Sequence, residues 1–125
     1  MSRSDRTTVS FRKEALVAKL VRGILREDRM MTVVGALEQA GVTGMTVMGA
    51  SGRGKHSPYG VYRGIRYRAL VPVCVVDVIT DESRASDVAR LMMEHGRTGE
   101  HGDGHVLIIN VDECYAVRTR WLEVA

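Results

Sequence analysis

The nine residues Arg97-Thr98-Gly99-Glu100-His101-Gly102-Asp103-Gly104-His105 stand between an amphipathic helical pattern and the apolar run Val106-Leu107-Ile108-Ile109. Three glycines fall within six positions, and glycine accepts positive φ while leaving no side chain between backbone and neighbour. One reading is a cradle in which the N–H groups of Gly99, Gly102 and Gly104 converge on an anion, phosphate first. The other is a helix-to-strand turn, with Gly99 capping the helix and Asp103-Gly104 forming a tight turn. Both readings put a helix before the stretch and a strand after it.

Working back toward the N-terminus, Asp81-Glu82-Ser83 has the chemistry of a helix start, Val88, Leu91 and Met92 recur on one face, and His95-Gly96 closes the helix. Residues 62–80 read as one long strand, polar through Arg63, Arg66 and Arg68 and then almost continuously apolar; Pro72 implies an edge or a bulge there. Residues 49–60 hold four glycines, Pro58, Arg53, Lys55 and His56, which predicts a mobile, basic, exposed loop. Residues 42–48 form the strand before it. Earlier still, Glu27-Asp28 starts a helix that turns Met31, Val34, Leu37 and Ala40 inward and stops at Gly41. The apolar run 15–25 is ambiguous by periodicity alone, and its second half is taken as a buried strand. A last strand over 115–121 would set Arg118 and Arg120 on one face. Residues 1–12 read as a flexible tail and 13–125 as one domain. The order strand, helix, strand, strand, helix, strand predicts an α+β, ferredoxin-like split βαβ fold (βαββαβ), with two helices on one face of an antiparallel sheet.

Composition narrows the function classes. A chain of 125 residues, 45% hydrophobic, suits one domain with a real core. No apolar run approaches a membrane span and no signal-peptide pattern opens the chain, so the expectation is a cytoplasmic protein without direct membrane insertion. Cys74 and Cys114, with 39 residues between them, match no zinc spacing, and no tightly bound metal is expected. His95, His101, His105 and Asp103 fit no metal motif either, which leaves a small metal- or histidine-dependent enzyme as a weaker alternative to a non-enzyme. All but three of the 18 basic residues are arginine, a type suited to bidentate phosphate binding. A pI of about 9.1 raises nucleic-acid binding, but only tyrosine interleaves the arginines and no RNP-like pattern accompanies them.

Four separated motifs then occur in one order: Gly44-Met45-Thr46-Val47, Tyr62-Arg63-Gly64 with Tyr67, Thr98-Gly99 with Gly102-Asp103-Gly104, and Arg118-Thr119-Arg120. Together they resemble the PII nitrogen-regulatory signalling family. The resemblance implies a homotrimer binding adenine nucleotides in clefts between subunits. It implies nucleotide contacts from Thr46, Gly52, Arg53, Gly54, Asp77, the glycine loop from Thr98 to Gly104 with His105, and Arg118 and Arg120 from the neighbouring chain. It also implies a flexible T-loop, at about 49–71, that meets a partner protein through Lys55, His56, Tyr59, Tyr62, Arg63 and Tyr67. Departures from the family pattern refine this. His105 replaces a permanent cation after the Gly-Asp-Gly, which favours ADP or AMP over ATP. Val73 stands where a lysine would meet 2-oxoglutarate, and Arg66 replaces the acidic neighbour of a modifiable Tyr67. With the long N-terminus, these features resemble the PII-like branch tied to inorganic carbon, which implies bicarbonate as a second ligand and a transporter or carboxysome-related partner. A conventional nitrogen-regulatory member sensing ATP/ADP and 2-oxoglutarate is the alternative.

Overall fold

In the computed structural model, residues 17–118 are described. The expected tail at 1–12, residues 13–16, Arg120 and the rest of 119–125 lie outside them. The elements are β1 (Ala18–Arg26), a 3-10 turn (Glu27–Arg29), α1 (Met30–Gln39), β2 (Thr46–Gly52), β3 (Tyr59–Tyr62), β4 (Ile65–Arg68), β5 (Val71–Asp81), α2 (Glu82–Gly96) and β6 (Gly104–Val111). β2, β5, β1 and β6 form an antiparallel sheet in that spatial order, and β3 and β4 form a separate hairpin. Without the hairpin the order is the expected ferredoxin-like βαββαβ.

Alternation places the core. β1 and β5 are the central strands, so one parity of each is sealed beneath the helices: Val21, Gly23 and Leu25 pair with Val78, Val76 and Cys74. These residues join Val33, Leu37, Val42, Ala85, Val88, Ala89 and Met92 in one core. Gly23 makes room for α2, since a Cβ there would lie 3.0 Å from the Met92 Sδ. Burial pushes the Cys74 thiol up, as befits a cysteine acting as a small apolar group.

The first helix differs in phase from the expectation. Val33 and Leu37 are buried whereas Met31 and Ala40 are exposed, because the 3-10 turn delays the α-helical stretch to Met30. Its end is a Schellman motif: Gly41 takes φ +95, its N–H donates to the Glu38 carbonyl, and the Val42 N–H donates to the Leu37 carbonyl. α2 starts on Asp81, whose carboxylate accepts from the Arg84 N–H.

Three strand expectations are corrected. The strand after α1 begins at Thr46 and continues through Gly52, so Gly49 to Gly52 pair with Cys74 to Val71 and do not belong to a loop. The strand expected over 62–80 is broken, because Arg63 and Gly64 both take positive φ (53° and 77°) and fold the chain into the β3–β4 hairpin. Near the C-terminus, Tyr115 makes only an isolated bridge, and Val117 and Arg118 lie in a turn. Pro72 lies beyond the end of the β1 ladder and has only Ser51 opposite, so its missing N–H faces an open side.

The parity of the sheet facing away from the helices is largely apolar, crossed by the Arg22–Asp77 pair and bounded by Arg26 and His105. It carries Leu20, Ile24, Val73, Val75 and Ile79, with Met48, Leu107 and Ile109 each about two-fifths exposed. No described element covers it.

Candidate functional site

At one end of the sheet lies the glycine loop. α2 ends at Gly96 and its cap, Arg97, is extended, so Gly99 is not the helix cap. The loop is wound around its own Asp103, whose carboxylate accepts from the N–H groups of Thr98 (2.9 Å) and Gly99 (2.8 Å), the Thr98 hydroxyl (2.5 Å) and the Arg26 Nε (2.8 Å). Arg26 Nη2 also donates to the His101 carbonyl at 2.6 Å. The expectation that the Gly99 N–H serves an external anion is therefore corrected: it already serves an internal one. The Thr98 hydroxyl, and after it Arg26, hold the Asp103 carboxyl well below the usual carboxylate range. Gly102 and Gly104 take φ +94 and +98, and a Cβ on Gly104 would lie 1.8 Å from the Ile24 carbonyl oxygen. That glycine is required by the close approach of β6 to β1. His105 follows on the helix-free parity, opposite Ile24.

Because the folded form holds the Asp103 proton affinity below its unfolded value, this stabilisation is complete above the ordinary carboxylate pKa and is lost as pH falls below about 4. Asp103→Asn should therefore lower the melting temperature at pH 7 and flatten its decline between pH 5 and pH 2. Melting curves that fall in parallel for both proteins would contradict it.

The segment after β2 comes to the same end. His56 stacks on His101, ring centroids 3.8 Å apart, so the stretch containing Gly52, Arg53, Gly54 and Lys55 adjoins the glycine loop. Ser57 shapes it by accepting from the Gly54 N–H through its hydroxyl and from Arg68 through its carbonyl. Tyr59, Tyr62, Arg63 and Tyr67 stand farther out on the hairpin.

The remaining candidates lie farther along the sheet, toward its middle. Thr46 and Asp77 border a cleft of about 470 Å³ whose other walls include Leu20, Met45, Ile79 and Tyr115. Arg118 lies in the exposed turn two residues beyond Ala116, which also borders it. Asp77 is engaged by Arg22 in a bidentate pair at 2.9 and 2.8 Å, so its carboxylate is held by a guanidinium within its own chain. Asp77 stands opposite Arg22 and Gly104 opposite Leu25, so the two groups lie three residues apart along β1, about 10 Å, and on different strands flanking it. One chain does not bring them together.

Arg22, Arg26 and Arg29 were missing from the candidates. Arg22 and Arg26 share the parity opposite to buried Val21 and Leu25, a signal present in the sequence; Arg29, which donates to the His95 carbonyl at the end of α2, follows only from the tertiary fold. Among the described residues no cluster of three or more His, Cys, Asp and Glu side chains is placed to hold a metal ion.

The sequence matches the family described as Nitrogen regulatory protein P-II over residues 18–121. The chain belongs to that family. Among relatives of the P-II protein, "Nitrogen fixation nifHD region GlnB-like protein 1" of Methanobacterium ivanovii is 37% identical over 106 residues, covering 82% of this chain and 95% of its own length. "Nitrogen regulatory protein P-II 2" of Methanothermobacter thermautotrophicus is 34% identical, with 81% and 90% covered. Among solved structures, Arabidopsis thaliana PII bound to citrate superposes with a TM-score of 0.71 at 25% identity, covering 86% of this chain and 90% of that one. The names are those of regulatory proteins. Among the described residues no helix of this P-II chain is long and apolar enough to cross a membrane.

Proposed function

We propose that this P-II protein is a homotrimeric, non-enzymatic regulator that binds an adenine nucleotide between subunits and passes its state to a partner protein through the β3–β4 hairpin. The observation that carries the reading is the separation of the candidate residues into two groups set apart along one sheet, beside a largely apolar face that no described element covers. A neighbouring copy packed on that face would set the cleft group of one chain against the glycine-loop group of the next. Met45, Ile79 and Leu20 offer apolar walls to a base, with Thr46 as a hydrogen-bonding group. Gly52, Arg53, Gly54 and the loop from Thr98 through Gly99, Gly102, Asp103 and Gly104 to His105 would lie along the phosphates, and Arg118 and Arg120 would reach them from the neighbour. His105 supplies an imidazole where a permanent cation would grip distal phosphates, which favours ADP or AMP over ATP.

Val73 counts against a dicarboxylate second ligand, and the likeness to a PII-like branch serving a transporter or carboxysome-related partner favours a small anion such as bicarbonate instead. The position where a lysine would meet a dicarboxylate is an isopropyl group that packs against Gly52. A conventional nitrogen sensor using ATP/ADP and 2-oxoglutarate is the second reading, favoured by the nitrogen-fixation names of the relatives.

Calorimetry with AMP, ADP and ATP, each with and without bicarbonate or 2-oxoglutarate, tests the ligands. In the same format Arg118→Ala should weaken nucleotide binding about tenfold to hundredfold, as expected for a charge-assisted contact of about 1.5–3 kcal/mol. An unchanged dissociation constant moves the phosphates away from Arg118.

A further inference from the structure

Residues 39–76 contain no aspartate or glutamate, while 53–68 carry Arg53, Lys55, Arg63, Arg66 and Arg68. The chain has 18 basic and 15 acidic residues, so the rest of it holds 13 basic against 15 acidic, a net charge of −2. Of these five, Arg63, Arg66 and Arg68 stand on the hairpin, while Arg53 and Lys55 belong to the stretch beside the glycine loop. The hairpin's strands are four residues long, about 13 Å. On one face Tyr59 lies against two guanidinium groups, 3.8 Å from Arg66 and 4.4 Å from Arg68, and Val61 beside it is 70% exposed. Stacking on the ring orients the planar groups; the Arg66 edge is left available as a bidentate donor, while Arg68 also donates to the Ser57 carbonyl. Six of the ten residues from Tyr59 to Arg68 are tyrosine or arginine, the types that carry most energy in protein interfaces.

We propose that the β3–β4 hairpin docks into an acidic surface of a partner protein, with Arg63, Arg66 and Arg68 pairing to carboxylates and Tyr59 and Val61 filling an apolar recess between them. This rests on the reading of the hairpin as the partner-contacting element. Charge complementarity selects a compact acidic protein surface over nucleic acid or an anionic membrane. Either of those is an extended anionic surface that rewards a long positive track, and the three arginines fall within six residues of one short hairpin.

The test uses the whole protein and a labelled peptide of three Glu-Glu-Leu-Gly repeats, followed by anisotropy at 50 and 200 mM salt. A counterpart with lysine for glutamate, a 20-base-pair duplex and vesicles of 30% phosphatidylserine run beside it. The acidic peptide should bind with an affinity that falls with salt, and Arg63→Gln/Arg66→Gln, which leaves the Arg68 contact to Ser57 in place, should lower that affinity at least tenfold without shifting the melting temperature or the nucleotide affinity. Equal binding by wild type and variant, no binding of the acidic peptide, or tighter binding to the duplex or the vesicles overturns the proposal. Nucleotide calorimetry separates the two failures: a protein that takes nucleotide but not peptide refutes the docking chemistry alone, and one that takes no nucleotide refutes the regulatory reading.

Discussion

Gly104→Ala should cost about 4 kcal/mol or more, enough to leave much of the protein unfolded at 37 °C. Two penalties fall on one methyl group. The backbone at Gly104 takes φ +98, which an L side chain rarely adopts, and the added Cβ would lie 1.8 Å from the Ile24 carbonyl oxygen and 2.9 Å from its carbon. The obstacle is backbone on a central strand, so no rotamer change relieves it. Relief requires β6 to move away from β1 at the Gly104–Leu25 pair, which would also displace Asp103 and the hydrogen bonds that close the glycine loop. Gly99→Ala is the control. That residue also has positive φ (+91) but nothing within 4 Å of its Cβ position, so it should cost about 1–2 kcal/mol. Urea unfolding of the three proteins checks the contrast, and equal midpoints for the two variants would show that the clash is not the cause.

Leu107→Glu combined with Ile109→Glu should dissociate the assembly and abolish nucleotide binding together. Both side chains lie on the helix-free parity of β6, about two-fifths exposed in the isolated chain, beside Leu20, Ile24 and Ile79. If a second copy covers this face, Ile109→Glu would bury a carboxylate against Leu20 and Leu107→Glu would set a second carboxylate against an Arg22 already held by Asp77, at several kcal/mol per ion. The single chain should tolerate the pair, since neither residue belongs to the core beneath the helices. Light scattering at micromolar concentration should find monomers with native circular dichroism, and calorimetry should find no nucleotide bound, because the cleft and the glycine loop would no longer meet. A variant that stays oligomeric places the subunit contact elsewhere.

The ferredoxin-like order was legible because it rests on local signals. Asp81 as a cap, Gly41 and Gly96 as helix ends and the apolar centre of β5 all act within a few residues. The hairpin was not legible: Arg63-Gly64 is a weaker turn signal than Asn-Gly, and Arg63 takes positive φ against its own preference. The end of β2 was lost to composition, since Gly49, Ala50, Ser51 and Gly52 have low strand propensity and are held extended by the neighbouring β5. At the site, the glycines marked the right loop but not its occupant. Asp103 was visible as a residue, while the direction of its carboxylate depends on Arg26, 77 positions away.

The Asp103 carboxylate also bears on how fast a sensor could follow its ligand. A loop already closed around an internal anion need not fold before a nucleotide reaches it, so encounter rather than reorganisation would set the association rate, within the ordinary range of about 10⁵–10⁷ M⁻¹s⁻¹. Differences among nucleotides would then appear as residence times. Such a protein would report the present concentration of its ligand, with a memory no longer than the lifetime of the bound complex.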